Sequence, residues 1–191
     1  NVNRCGTTLY HQWKMQTDKN YAKAFAQRDQ KLQEWVSQNS VQRTSVVADT
    51  IPVVVHVVWN TNAENISDAQ IYSQIQVLND DFGRQNADSV NTPAVWRPIA
   101  GALPYYFVLA RQDANGAPTT GIVRRQTTTT SFSTNNNVKN FATGGSNAWN
   151  TNLYLNIWVC DLGSFLLGYG EFPTGTPSNT FGFVCNYTAF G

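Results

Sequence analysis

Charge is scarce in this chain. Only 13% of its 191 residues are Asp, Glu, Lys or Arg, and the net charge is +1, about half the usual charged share. No basic stripe exists to neutralise phosphates, which argues against a nucleic-acid partner. No apolar run approaches the ~20 residues needed to cross a bilayer, so no membrane partner is expected. The first residues, Asn1-Val2-Asn3-Arg4, do not read as a signal peptide. Catalytic signatures are absent too: there is no H-E-x-x-H, no glycine-rich phosphate loop, no G-x-S-x-G and no C-x-x-C. Histidine occurs twice, at His11 and His56, in unrelated segments, and methionine once, at Met15. Asp80 and Asp81 adjoin on a helical stretch and point apart, which excludes a carboxylate dyad. The three cysteines, Cys5, Cys160 and Cys185, are an odd number and cannot all pair within the chain. A Cys160–Cys185 disulfide and two buried thiols are both open readings, and Cys5 is left over in either.

What is present is apolar and aromatic. Hydrophobic residues make up 41% and aromatics 13%, with six Trp, enough for one well-buried domain with an appendage. The polar surface is Asn, Gln, Thr and Ser, a composition associated with secreted proteins. Residues 1–16 show little pattern. From 17 to 39, Tyr21, Phe25, Leu32, Trp35 and Val36 recur at helical steps, with Arg28 on the same stripe, and predict an amphipathic helix docked on a core. Residues 37–50 read as a linker, with Arg43 open to trypsin-like cleavage.

Residues 51–59 predict a strand apolar on both faces, with Pro52 at its start and His56 inside it as a buried neutral imidazole rather than a metal ligand or base. Ser67 and Gln70 form a capping box, and Ile71, Ile75, Leu78 and Phe82 carry a helix that Gly83 closes. Residues 103–110 predict a second strand, parallel to the first by a right-handed crossover. Asp113-Ala114-Asn115-Gly116 marks a turn, and residues 121–125 a short strand. Residues 127–145 form a long Thr/Asn/Ser/Gly loop of the kind that is usually functional or mobile. Three β-segments end the chain: 154–160 and 181–187, both apolar, and 166–172 between them, glycine-broken and stopped by Pro173, as suits an exposed edge. Asn65 and Asn186 head glycosylation sequons that also arise by chance in an Asn-rich chain.

The order of these segments resembles the pappalysin family of secreted zinc metalloproteases. The residues that carry it are Ile51-Pro52-Val53-Val54-Val55-His56-Val57-Val58, Ile66-Ser67-Asp68-Ala69-Gln70-Ile71 with Leu78-Asn79-Asp80-Asp81-Phe82, Thr120-Gly121-Ile122-Val123-Arg124, Tyr154 through Cys160, and Leu167-Gly168-Tyr169 through Phe172-Pro173. The resemblance implies an α/β metzincin upper subdomain over residues 50–191, with a twisted, mostly parallel sheet, an antiparallel edge strand and backing helices. A helical, propeptide-like segment over residues 1–49 precedes it. By the same resemblance Leu166, Leu167, Gly168, Tyr169, Gly170, Glu171 and Phe172 form the upper rim of a cleft that binds a peptide or protein substrate by strand addition. Arg4-Cys5-Gly6-Thr7 looks like a cysteine switch, with Cys5 a zinc ligand of the latent state and Gly6 allowing close backbone approach.

The family's zinc helix, with H-E-x-x-H-x-x-G-x-x-H, and its Met-turn have no counterpart here. The expectation is therefore the N-terminal portion of a secreted, latent zinc metalloendopeptidase that stops short of the zinc helix, with the missing half as a candidate partner. Zinc is implied as cofactor, its main ligands lying outside these residues; calcium is left undetermined. Two other classes compete: a non-catalytic peptide- or glycan-binding module using the open edge, and an inhibitor acting in trans through Cys5.

Overall fold

The computed structural model describes residues 4–39, 48–175 and 177–191. Its first two elements are helices, α1 (Thr7–Thr17) and α2 (Lys19–Gln38). The break is Asp18, extended at φ −121° and ψ 98°, whose carboxylate accepts from the Tyr21 N–H and caps α2. The sequence pattern therefore located α2 but passed over α1. Only the start of α2 docks: Tyr21 is buried, while Leu32, Trp35 and Val36 are 58%, 61% and 51% exposed, so the expected core contact ends after the early turns. Arg43 lies outside the described residues.

The sheet is built around β1 (Asp49–Trp59). One edge of β1 pairs in parallel with β2 (Tyr105–Leu109) along residues 49–53 and with β3 (Ile122–Gln126) along residues 55–59. Its other edge pairs in parallel with β4 (Leu155–Cys160). The order then runs to β6 (Phe183–Asn186), parallel to β4, and to β5 (Gly168–Gly170), antiparallel to β6 and outermost. This is the expected mostly parallel sheet with one antiparallel edge strand. Helix α3 (Asp68–Phe82) links β1 to β2, and its N-cap is Ser67, whose Oγ accepts from the Gln70 N–H at 3.2 Å.

Strand β1 is apolar on both sides because both sides are covered. Val53, Val55 and Val57 join Ile66, Ile71, Ile75, Ile157 and Val159 on the α3 side. Val58, Trp158, Cys160 and Val184 join Tyr10, Phe132, Val138 and Tyr169 on the other. Each such side chain contributes about 1.5–3 kcal/mol on burial. The long loop after β3 is thus a second layer: two short 3-10 turns (Asn137–Lys139 and Phe141–Thr143) carry Val138 and Lys139 into the interior. Its polar composition reads as mobile, but Phe132 and Val138 point inward, while Phe141 stays exposed.

Cys160 and Cys185 do not pair. Val159 is level with Cys185, so Cys160 falls one residue out of step and faces the loop side, while Cys185 packs on the α3 side. Burial pushes the Cys160 thiol well up and Cys185 to about 11, which keeps both protonated. Asn186 is only 4% exposed, and its amide donates to the carbonyls of Gly163 and Leu166, so this sequon is not accessible.

His56 is the buried imidazole the sequence suggests, fully enclosed and stacked 5.1 Å from Trp158. Asn156 donates to the carbonyls of Trp149 and Tyr154, which leaves its Oδ1 to accept from His56 Nε2–H at 2.9 Å; the Ser146 hydroxyl faces Nδ1 at 2.9 Å. Burial depresses its pKa to about 4, partly offset by the Asn156 hydrogen bond. In the unfolded chain it titrates near 6.5. The unfolded state binds the extra proton between these values, so stability is complete above about pH 6.5 and falls, by up to roughly 3 kcal/mol, as pH drops to about 4. An NMR titration of the His56 ring with a midpoint near its ordinary value would contradict this.

Candidate functional site

The outer edge of β5 does not stand open. The extended residues just before α1 lie along it in parallel, with Cys5 level with Gly168. The Gly6 N–H donates to the Gly168 carbonyl and the Leu167 N–H to the Arg4 carbonyl, both at 2.8 Å. Gly6 is needed for this approach: a Cβ there would meet Leu166 Cδ1 at 2.9 Å, Thr134 Cγ2 at 3.0 Å and Tyr169 Cβ at 3.3 Å. Gly6→Val is therefore expected to weaken the pairing by about 1–3 kcal/mol, read as faster exchange of the Gly6 and Leu167 amide positions with no change in β1.

Helix α1 then turns across the rim. The Thr7 hydroxyl oxygen accepts from the Gly170 N–H at 3.1 Å, and Cys5 Sγ lies 3.4 Å from the same hydroxyl. Hydrogen bonding by the Thr7 side chain, then by its backbone, lowers the Cys5 pKa, with slight burial opposing. The thiol is exposed and stands just before a helix N-terminus, an environment that favours thiolate.

One turn further, Tyr10 is fully buried with its ring 5.0 Å from Tyr169, and its hydroxyl donates to Glu171 Oε2 at 3.1 Å. Lys14 ends at 2.9 Å from Glu171 Oε1, with the two side chains 5% and 2% exposed. Ser178 Oγ donates to the same carboxylate at 3.1 Å. Phe172 packs edge-on to His11 at 5.2 Å and lies 6.1 Å from Phe25 of α2. Burial and the Glu171 charge push the Tyr10 phenol far up.

The stretch predicted as a substrate rim is thus one structural unit, but its members do different things. Leu167, Gly168 and Gly170 bond through the backbone, Leu166 packs on Gly6, and Tyr169 is core. Glu171, expected from the resemblance as part of the substrate rim, turns its carboxylate to Tyr10 and Lys14 of α1. Tyr10, Lys14, Lys139 and Ser178 were not singled out from sequence; two of them are lysines, which carry no signature of burial.

Among the described residues no group of three or more His, Cys, Asp or Glu could hold a metal ion. These residues do not build a zinc centre; Cys5 is a single exposed donor. No helix among them is long and apolar enough to cross a membrane.

No protein-family model matches the chain, and no curated protein does. Solved structures do. A Tannerella forsythia promirolysin mutant is similar at TM-score 0.82 and 47% identity, over 99% of this chain and 61% of that one. Mature mirolysin from the same organism, in complex with a cleaved peptide, is similar at TM-score 0.73 and 56% identity, over 78% of this chain and 55% of that one. Mirolysin in complex with compound 9 gives TM-score 0.73 and 56% identity, over 76% and 55%. The chain spans less than two thirds of the length of these relatives.

Proposed function

On the premise that this chain is kin to the pappalysin-like metzincins, as its match to promirolysin and mirolysin establishes, we propose that it is the N-terminal portion of a secreted, latent zinc metalloendopeptidase. Residues 1–49 act as the propeptide and residues 50–191 as the first part of the catalytic domain. The boundary is supported by coverage: the promirolysin match takes in 99% of this chain and the mature forms 78% and 76%, a shortfall about the size of the N-terminal segment.

The observation that carries the reading is the pairing of Arg4 and Gly6 with β5. An extended peptide adds to a sheet edge through main-chain hydrogen bonds, and the neighbour that is mature mirolysin holds a cleaved peptide. Here the carbonyl of Gly168 and the N–H of Leu167 are already taken. Residues 4–6 fill the strand position, and residues 166–172 serve as the upper rim once they leave. Zinc, when bound by the family's H-E-x-x-H helix, polarises the scissile carbonyl and a water; that motif is not in this sequence. The roles of this chain are to align the substrate backbone on β5 and to offer the Cys5 thiolate as a zinc ligand while latent.

Sequencing the reading frame past Gly191 and assaying its full product tests this. An H-E-x-x-H-x-x-G-x-x-H helix, bound zinc, and higher activity of the unprocessed form in Cys5→Ala are expected. A frame that closes without a zinc motif, in a protein that still binds extended peptides, would instead support the non-catalytic binding module. That second reading is favoured by one observation, the coverage of both sheet faces by this chain's own residues.

A further inference from the structure

Lys139 is a buried cation with no carboxylate within ion-pair distance among the described residues. It is 3% exposed, and its Nζ donates to the Thr180 carbonyl at 2.8 Å. Otherwise it faces rings: Tyr10 of α1 at 5.2 Å, Trp158 of β4 at 5.2 Å and Tyr169 of β5 at 5.3 Å. The same Tyr10 donates its hydroxyl to Glu171. Tyr10 therefore stands between a buried lysine and a buried carboxylate, and that carboxylate is engaged by Lys14 of the same helix. The buried part of the cluster holds two amino groups and one carboxylate, and the half-exposed Asp18 carboxylate lies 3.8 Å from Lys14 at its margin. Helix α1 supplies one ammonium and the spacer.

We propose that Lys139 is the second partner of Glu171: when α1 lifts from the sheet, the carboxylate passes from Lys14 to Lys139. Departure of α1 removes Lys14, the Tyr10 hydroxyl and the Tyr10 ring together. Among the described residues Ser178 is the hydrogen-bond partner that stays on Glu171, and the Tyr10 ring no longer stands against Lys139. The exchange spares the opened rim an unpaired carboxylate, whose desolvation is costly. It thereby lowers the cost of opening. It rests on the reading of α1 as a segment that leaves, but not on zinc or on catalysis.

The exchange also couples opening to pH. In the closed state burial lowers the Lys139 pKa to about 7; Glu171 opposes this and Lys14 adds to it. The other groups facing Lys139 are the Tyr10 and Tyr169 phenols, both pushed up by burial and protonated throughout this range, and neutral Trp158 and Thr180. Opening relieves burial and removes Lys14 while Glu171 remains, so Lys139 takes up a proton. The opening equilibrium then grows roughly tenfold per pH unit as pH falls toward about 7, and levels off below, where Lys139 is charged in both states.

Hydrogen exchange of the α1 amides in the full 191-residue chain, corrected for intrinsic rates, reads this equilibrium, with β1 and β4 amides as the check on folding. At about pH 6, Lys139→Met is expected to reduce α1 opening roughly five- to tenfold when position 171 is Glu, and to have no such effect in Glu171→Gln. Lys139→Arg keeps the cation and keeps wild-type opening. Equal effects of Lys139→Met in both backgrounds would overturn the exchange. Should Lys139→Met not fold, the wild-type pH profile decides: opening that does not rise between about pH 9 and 7 overturns it. Failure of the zymogen reading would instead show as missing zinc or activity in the full product, with this exchange profile unchanged.

Discussion

Glu171→Ala is expected to cost about 3–5 kcal/mol, the usual loss when one member of a buried ion pair is removed. The side chain is 2% exposed and receives Lys14, Tyr10 and Ser178. Its removal leaves Lys14 with only the half-exposed Asp18 carboxylate, 3.8 Å away, and Lys139 with no carboxylate within ion-pair distance among the described residues. Lys14→Met should cost distinctly less, because Lys139 remains to balance the carboxylate. The pair thus has an asymmetry that a simple two-residue salt bridge would not show. Urea unfolding of both variants at neutral pH, scored by the loss of the α1 region, measures it. Equal costs would mean that Lys139 contributes no compensating charge to Glu171.

Much of the sheet was legible because its residues interact with near neighbours or repeat with a fixed period. The run 51–59 announces a strand covered twice, and it is β1, an interior strand paired along both edges. Ser67 announces a cap and makes it, while the Gln70 side chain donates to the Phe190 carbonyl instead of closing the capping box. The glycines around Tyr169 with Pro173 announce an edge, and β5 is outermost. What escaped were the contacts made across long separations. Helix α1 buries only Tyr10 and Lys14, one of them a lysine, so no apolar stripe marks it. Nothing in Arg4-Cys5-Gly6 itself says that its backbone will pair with Leu167 and Gly168, because strand addition uses groups every residue has. Conversely, the stripe on α2 promised more contact than exists. Periodicity reports that a helix has an apolar face, not how much of that face is met.

Tyr10→Ala is expected to release α1 while the sheet stays folded. The side chain is fully buried; its ring meets Tyr169 at 5.0 Å and Trp13 at 5.7 Å, and its hydroxyl reaches Glu171. Truncating a buried aromatic costs about 3–5 kcal/mol. Besides His11 against Phe172, little else fastens α1 at its centre: the two backbone hydrogen bonds to Arg4 and Gly6 and the Thr7–Gly170 bond precede it, and Lys14 follows. The cluster on the α3 side contains no α1 residue, so β1 and β4 keep that face packed. Hydrogen exchange should show α1 protection lost and β1 and β4 protection kept. Tyr10→Phe retains the ring and should cost only about 1 kcal/mol for the hydroxyl. If the strands lose protection in step with α1, the N-terminal segment belongs to the same cooperative unit as the sheet and does not act as a latch. The distinction decides the mechanism, because a covering segment regulates a cleft only if it can leave without taking the wall of the cleft with it.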